Sequence, residues 1–438
     1  MGKLKISILI LSGFAIMMLS GCSKNNTATG PHDQQTAKQR VDQANQIFIP
    51  KLAEMVISNG QDTASFNMSA ATSLYQEALN ADPDNLDANF GMAATEFFTI
   101  FSNPSIRTVI GGNPALSPAP SSAFSKKGAI TGLSSSILSR SKSMIALLRD
   151  PLFPLRIYKS LSAGDTTVAL SDYQGIIETV VLPALSDAIT HLNVVVQHSD
   201  YIFYIPPQQL GENSGDSIRI GLTEIYALLA TCQIVDATGS LLVSYNVDYD
   251  ATDSSAVDQA WQTNSAFLAL RTNGAQRMKD VKTNIIGAAN SIQNGITFLI
   301  QHPSNGIIIY RTEDGPELTD IKNAMDSVKQ FLSGPVTVSG DFNNTGVQTT
   351  LTINLGKLFD NAIPNFKQKL PSYTVGVQKD GDAYDAILTW QAASFSTWTF
   401  PDPTFNGIFP GITTDAQFKQ AFGITAASWM PYVIISAN

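Results

Sequence analysis

The chain has 438 residues, a formal net charge of −9 and a charged fraction of 14%, which is low beside the roughly 25% of average domains. The acidic balance argues against nucleic acid as a partner. The length permits two or three domains of ordinary size, and the apolar content is sufficient for a sizeable core.

The N-terminus has the layout of an export signal. Lys3 and Lys5 precede an apolar run over residues 6–19, which is too short for a dependable membrane span. The run closes on Leu19-Ser20-Gly21-Cys22, which resembles the lipobox of bacterial lipoproteins. The resemblance implies that residues 1–21 are removed and that Cys22 carries a membrane lipid. The alternative is an ordinary signal peptide that ends near a cysteine.

The residues after Cys22 are polar. Ser23 in this position implies, by the same resemblance, sorting to the outer membrane, and the lack of an acidic cluster favours the periplasmic face over the cell surface. Residues 22–40 have no apolar periodicity, so we expect them to form a tether. Cys232 is the only other cysteine, and its apolar surroundings predict a buried, inert thiol without a disulfide partner.

A helical domain is predicted over residues 41–333. Helical periodicity begins near Gln39, and Pro50 is expected to kink or split the first helix. Within residues 66–100, several positions match the second helix of a tetratricopeptide repeat (TPR) and the proline that ends it, namely Ala71, Tyr75, Ala78, Leu79 and Pro83. The resemblance covers about 35 residues, whereas stacked repeats usually need about three units. It implies closely packed helix pairs, and a long apolar groove near Tyr75 and Phe90 would favour a protein partner.

The rest of this domain is interpreted from helical periodicity and turn residues. Residues 103–135 are rich in Gly, Pro and Ser and predict a long irregular loop. Two helices are predicted over residues 134–148 and 173–197. A third is predicted to begin at the N-cap Asp216 and to end near Tyr245. A fourth has an apolar seam from Met278 to Leu299 and is expected to end at His302-Pro303. The helix ending at Tyr245 is apolar nearly all round, and its polar residues favour a buried helix over a membrane span, namely Glu224, Gln233 and Asp236.

The periodicity changes to that of strands in residues 334–438. Alternation over residues 350–355, preceded by Val336 and Val338, predicts one hairpin, and residues 373–377 and 384–390 around Asp380-Gly381 predict a second. The predicted fold is therefore mainly α, with TPR-like α-α packing and a small antiparallel β subdomain near the C-terminus.

Few residues suggest catalysis or metal binding. The sequence has no phosphate-binding loop, zinc-binding helix or nucleophile elbow, and we expect no cofactor. The four histidines are scattered along the chain: His32, His191, His198 and His302. His191 and His198 could share one face of a helix and bind a metal there. Two acidic clusters could hold calcium, but neither completes an EF-hand loop, and solvated turns are the preferred interpretation: Asp248, Asp250 and Asp253, and Asp380, Asp382 and Asp385.

The C-terminal stretch is rich in aromatic residues pinned by Pro and Gly. Its candidate platform for stacking on a sugar or a peptide consists of Trp390, Trp398, Phe405, Phe409 and Trp429. The same residues could equally be a core that seals the end of the helical body. This stretch resembles the tail of exported bacterial lipoproteins with a helical body, a resemblance that implies no activity.

These observations predict a non-enzymatic outer-membrane lipoprotein whose helical scaffold binds a protein partner or organises an envelope assembly. The alternative is a lipoprotein that captures glycans, resembling the helical binding subunits of outer-membrane nutrient importers. A hydrolase is the remote alternative, because no pair of nucleophile and base can be named.

Overall fold

The structure is a computed structural model. It describes residues 33–57, 67–103, 106, 170–210, 217–247, 260, 263–340, 348–369, 374–380, 383–389, 399–422 and 435–437. Over these residues the fold is mainly helical with small antiparallel sheets, which confirms the predicted fold class.

Ten α-helices are described in this part of the chain. They are α1 (Gln34–Ile57), α2 (Ser69–Ala81), α3 (Leu86–Ser102), α4 (Leu170–Ile176), α5 (Leu182–Val195), α6 (Leu222–Ser244), α7 (Gly274–Gln301), α8 (Gly315–Ser333), α9 (Gly356–Asp360) and α10 (Asp415–Ala421).

The described strands form three small antiparallel sheets. Two of these are hairpins and the third has three strands in the order β5-β6-β7. The strands are β1 (Phe203–Ile205), β2 (Ile218–Ile220), β3 (Val336–Gly340), β4 (Thr349–Ile353), β5 (Thr374–Asp380), β6 (Ala383–Thr389) and β7 (Ile435–Ala437). Both predicted hairpins are confirmed as β3–β4 and β5–β6, whereas β1–β2 was not predicted.

The first core joins α1, α2, α3, α5, β1 and the first half of α6. Tyr75 lies at its centre, fully buried, and its hydroxyl donates a hydrogen bond to Oδ1 of Asn45 at 2.5 Å. The ring of Tyr75 lies directly against Gly91 of α3, where a Cβ atom would overlap it. The four helical residues of the TPR-like motif are all buried: Ala71, Tyr75, Ala78 and Leu79. Close approach of small residues around one large ring therefore sets the α2–α3 packing.

The start of α1 corrects one prediction. The helix begins at Gln34, so residues 34–40, expected in the tether, are helical. The side chain of Asp33 accepts hydrogen bonds from Thr36, as an N-cap does, and Ala37 is buried as the first member of the apolar stripe. Pro50 lies inside α1 and does not divide it.

The predicted helix over residues 173–197 has an irregular middle. A π-helical turn at Ile177–Val181 connects α4 to α5. Pro183 lies in the first turn of α5 and has no backbone N–H, so the regular bond to the carbonyl of Thr179 is not made. We attribute the widened turn to this missing donor.

The start of α6 corrects a second prediction. Asp216 lies outside the described residues, and the chain first forms β2 before α6 begins at Leu222. Gly221 occupies the cap position, and its N–H donates to Oε2 of Glu224 at 2.9 Å. The carboxylate therefore supplies the capping interaction that the sequence suggested for Asp216.

The second core packs α6, α7, α8 and α9 together. The predicted seam of α7 is confirmed, with Met278, Val281 and Ile285 fully buried. Polar pairs also cross the α6–α7 interface: Asn284 Nδ2 donates to Asp236 Oδ1 at 2.7 Å, and Ser291 donates to Gln233 at 3.0 Å. Cys232 of α6 belongs to the first core and is fully buried, and burial raises the pKa of its thiol well above the usual range.

Two helical segments among the described residues are long and apolar enough to span a membrane, Ser171–Val195 and Leu222–Ser244. Such segments also occur as core helices of soluble proteins. In the 18-residue apolar window of α6, 56% of the window is buried inside the protein. The helix packs against both α5 and α7. This packing favours the predicted interpretation of α6 as a core helix.

Candidate interaction surface

Large apolar side chains are exposed at one end of the helical body. Among the described residues, those with the greatest exposure are Tyr204 (52%), Ile300 (39%) and Ile309 (63%). Ile300 is in the last turn of α7, Ile309 is in the loop that follows, and Tyr204 is in β1. We call Tyr204, Ile300 and the loop residues 307–310 the apolar end.

The isoleucine loop is held by a buried carboxylate. Oε1 of Glu224 accepts the N–H of Ile308 at 2.6 Å, and the N–H of Tyr310 donates to the carbonyl of Pro303 at 3.0 Å. A Cβ atom at Gly306 would overlap the carboxylate of Glu224, so the glycine permits this close approach. The loop therefore presents Ile309 from a fixed backbone.

The environment of Glu224 shifts the pKa of its carboxyl group. Burial raises the pKa of this carboxyl above its ordinary value, while hydrogen bonds from the backbone of Ile308 and Gly221 act in the opposite direction. The ionised form accepts these N–H groups most strongly. The loop and the start of α6 therefore share one acceptor.

The β1–β2 hairpin lies beside this loop. Tyr204 pairs with Arg219 across the hairpin, and the guanidinium carbon lies 5.9 Å from the centre of the tyrosine ring, within range of a cation–π contact. Gly221 directly follows β2, and the position of a Cβ there would be 3.1 Å from the carbonyl oxygen of Asn305. The hairpin and the isoleucine loop thus meet at the start of α6.

The described chain begins at this same end of the body. Tyr201, just before β1, donates to Oδ1 of Asp87 at 2.8 Å. Burial raises the pKa of Asp87, and Lys38 of α1 is near enough to lower it in part. Further along, α1 contacts the turn at Pro207–Leu210 that follows β1. Asp33, whose N–H donates to the carbonyl of Ala81 at the end of α2, therefore lies on the side of the β1–β2 hairpin.

A charged cluster lies at the opposite end of α6. Glu178 in the π turn pairs with both Arg271, at 2.9 Å, and Arg277. Both arginines also donate to the carbonyl of Val243, and Gln174 donates to the carbonyls of Leu242 and Tyr245, each at 2.7 Å. These contacts satisfy the last carbonyl groups of α6, so the cluster fixes a helix end.

The predicted aromatic platform is only partly described. Trp390, Trp398 and Trp429 lie outside the described residues. Phe405 and Phe409 are half-buried and contact each other with ring centres 6.1 Å apart. They belong to a phenylalanine cluster that also packs on β4 and contains Phe400, Phe418 and Phe422. Their contacts are those of a small core, the second of the two interpretations.

The carboxylate of Asp402 fixes the loop between Phe400 and Phe409 of this cluster. Its carboxylate accepts hydrogen bonds from Lys369 at 2.7 Å, from Thr404 and from the backbone of Asn406. Burial alone would raise the pKa of Asp402, but these hydrogen bonds together hold it at about 2. The positive φ angles of Phe405, Asn406 and Gly407 are stabilised by this arrangement.

Most of the candidate metal positions lie outside the described chain. Asp248, Asp250, Asp253 and Asp382 lie outside it, as does Cys22. Asp380 ends β5, whereas Asp385 of β6 pairs with Gln378. Over the described residues there is no group of three or more His, Cys, Asp or Glu side chains that could hold a metal ion.

The histidines have separate surroundings. Nδ1 of His191 is 2.8 Å from Oδ1 of Asn89, and burial lowers the pKa of its imidazole. His198 is exposed, and His302 stacks on Phe298 with ring centres 4.2 Å apart. His32 lies outside the described residues. His191 lies in α5, whereas His198 lies beyond the end of that helix at Val195, so the two do not share a helix face.

The space near Tyr75 and Phe90, where a groove would favour a protein partner, is filled. Both side chains are buried, and Phe90 packs on Phe203 of β1 with ring centres 4.8 Å apart. The described residues therefore form no open groove at this place, because α1 and β1 cover the TPR-like helix pair. Sequence reasoning missed the apolar end, although three consecutive isoleucines after a His-Pro helix stop were a signal for it.

Comparison of the chain with protein-family models, with curated proteins and with solved structures finds no match.

Proposed function

We propose that the chain is a non-enzymatic lipoprotein of the outer membrane, anchored through Cys22, whose helical body is a scaffold for a protein partner. The anchor brings the body to the membrane, and the helical surfaces away from the anchor bind the partner.

One relationship carries the proposal: the position at which the chain enters the folded body. Residues 23–32 separate Cys22 from Asp33, and a chain of that length spans at most about 40 Å when fully extended. Asp33 lies on the side of the body that carries the β1–β2 hairpin, because its N–H donates to the carbonyl of Ala81 and Tyr201 donates to nearby Asp87. A lipid on Cys22 would therefore hold this end close to the bilayer and turn the other surfaces away from it.

The roles of the described charged residues support a scaffold. Glu178 and its two arginines satisfy the end of α6, Glu224 caps its start, and Asp402 fixes a loop. Each of these charged groups or clusters forms hydrogen bonds with backbone atoms and so orders that part of the chain. Long helices joined by such contacts provide a stable surface for a protein partner.

Photocrosslinking in the bacterium that encodes the protein tests this function. A benzoylphenylalanine is introduced into the full chain at Ser186 in the first half of α5 or at Asn323 of α8, both of which are exposed. We expect an adduct of discrete mass with a second protein in the membrane fraction, from at least one of the two positions. The matched control carries Cys22→Ser and should lose both the membrane fractionation and the adduct.

Two results would contradict the proposal. One is the lack of any protein adduct from both positions while the lipidated protein is abundant in the membrane. The other is specific retention of an envelope glycan by the purified protein without a protein adduct, which would favour the glycan-capturing alternative.

A further inference from the structure

We propose that the apolar end is a second membrane contact, which rests in the interface of the bilayer beside the lipid. This inference rests on the proposed anchoring at Cys22 and adds the surface by which the folded body meets the membrane. The occupant of this surface is thus a phospholipid bilayer.

The residue types of the apolar end suit a membrane interface. Ile309 and Ile300 offer aliphatic side chains, and Tyr204 has an apolar ring with a polar hydroxyl, the combination found at the boundary between lipid and water. Arg219 lies against the Tyr204 ring and provides a positive charge at the level of phosphate headgroups. The apolar residues contribute most of this contact, because the chain as a whole is acidic.

The loop is ordered before it meets any partner. Glu224 accepts the N–H of Ile308, and the Tyr310 N–H closes the loop on Pro303. A loop fixed in this way presents Ile309 without a further loss of backbone freedom on binding. Three consecutive isoleucines at an exposed turn are therefore a built feature of this end.

The place of chain entry favours a bilayer over a protein as the occupant. The start of α1, the end of α5, the β1–β2 hairpin, the start of α6 and the end of α7 all lie at this end, as the contacts of Asp87, Asn89 and Gly221 require. A lipid on Cys22, attached through residues 23–32, would hold this end within reach of the membrane. No other described surface combines chain entry with exposed large apolar side chains.

Spin labelling of the lipidated full chain tests the contact. Ile309→Cys and Ser333→Cys variants are purified from membranes and reconstituted into vesicles of phosphatidylethanolamine and phosphatidylglycerol. Cys232 is fully buried and acylated Cys22 has no free thiol, so the nitroxide reports on the new position alone. Ser333 is exposed at the far end of α8 and is the matched control.

We expect the label at position 309 to be several-fold more accessible to oxygen than to a water-soluble nickel complex, relative to the label at position 333. Circular dichroism should show the same helix content in both variants, because both positions are exposed. Equal access of nickel to both labels in the lipidated protein would overturn the membrane contact and leave the anchor in place. Protection of position 309 from both reagents, appearing only when envelope proteins are added, would also overturn it and would assign the surface to a protein.

Failure of the proposed function has a different signature. A mass spectrum that shows Cys22 without lipid, together with loss of the protein from the vesicles, would overturn the anchoring and this inference with it. The two failures are therefore distinguished by the mass of the N-terminal fragment.

Discussion

Glu224 and Ile308 are 84 residues apart in sequence, and the carboxylate of the first accepts the backbone N–H of the second at 2.6 Å. This hydrogen bond connects the start of α6 to the loop after α7. The same carboxylate caps α6 through Gly221. One buried side chain thus orders both the helix start and the exposed isoleucines.

Replacement of Glu224 should loosen this loop. In Glu224→Ala the N–H groups of Gly221 and Ile308 lose their acceptor, and we expect a loss of about 1–3 kcal/mol in the free energy of unfolding. Hydrogen exchange measured by mass spectrometry should speed up in residues 306–310. The control Glu317→Ala removes an exposed carboxylate of α8 and should leave exchange unchanged. Identical exchange in both variants would show that the carboxylate does not order the loop.

The contact between Gly91 and Tyr75 predicts opposite effects of one substitution at two glycines. In Gly91→Ala the new methyl group overlaps the Tyr75 ring, so the core must shift and stability should fall by about 1–3 kcal/mol. In Gly175→Ala the methyl group meets open space within α4, so helix propensity should raise stability by up to about 1 kcal/mol. Urea unfolding measures both changes. A Gly91→Ala protein as stable as the wild type would contradict the packing.

Buried Asp236 predicts a loss of stability as the pH rises. Burial raises the pKa of its carboxyl to about 7 from 3.8, with a smaller contribution from the nearby charge of Asp280. Because the pKa in the folded state is the higher one, the unfolded chain ionises first, and folding is favoured below pH 4. Stability should then fall by up to about 1.4 kcal/mol per pH unit between about pH 4 and pH 7.

Asp236→Asn isolates this effect. The amide keeps an oxygen that can accept the hydrogen bond of Asn284, but it does not ionise, so the fall in melting temperature between pH 4 and pH 8 should become much smaller. Asp320→Asn, an exposed change in α8, serves as the control and should retain the fall. A pH profile of Asp236→Asn that matches the wild type would show that another group causes it.

The cluster around Glu178 predicts a stability loss that salt reduces. In Glu178→Gln the side chains of Arg271 and Arg277 lose their counter-charge in a half-buried site, and we expect a loss of about 1–3 kcal/mol. The exposed pair Lys38–Asp42 supplies the control, since Asp42→Asn should change stability by less than about 0.5 kcal/mol. Chemical unfolding at low and high salt measures both. If Glu178→Gln and Asp42→Asn lost equally little stability, the cluster would not hold the end of α6.

Much of the fold could be predicted from sequence where one period dominates. The stripe of Met278, Val281 and Ile285 fixed α7, and the alternation around Leu351 fixed β4, because each pattern matches one kind of buried face. The short β1–β2 hairpin was missed because strands of three residues have too little alternation to distinguish them from a loop. The early start of α1 was missed because Ala37 and a cap at Asp33 are weak local signals beside so many polar residues.

The candidate surface was harder to predict, because it depends on contacts between distant segments. The TPR-like motif correctly indicated buried positions around Tyr75, yet it could not show that α1 and β1 cover them. The role of Glu224 was likewise hidden, since its partner Ile308 follows a separate helix. Exposure of Ile309 arises from this long-range contact and not from the local pattern.

The mass of the mature N-terminus tests the central proposal most directly. The protein is extracted from membranes, digested, and its N-terminal fragment analysed by mass spectrometry. We expect a fragment that begins at Cys22, lacks residues 1–21 and carries a diacylglyceryl group, and that is missing from a Cys22→Ser variant. A fragment with an unmodified Cys22, or one that begins at another residue, would contradict the anchoring.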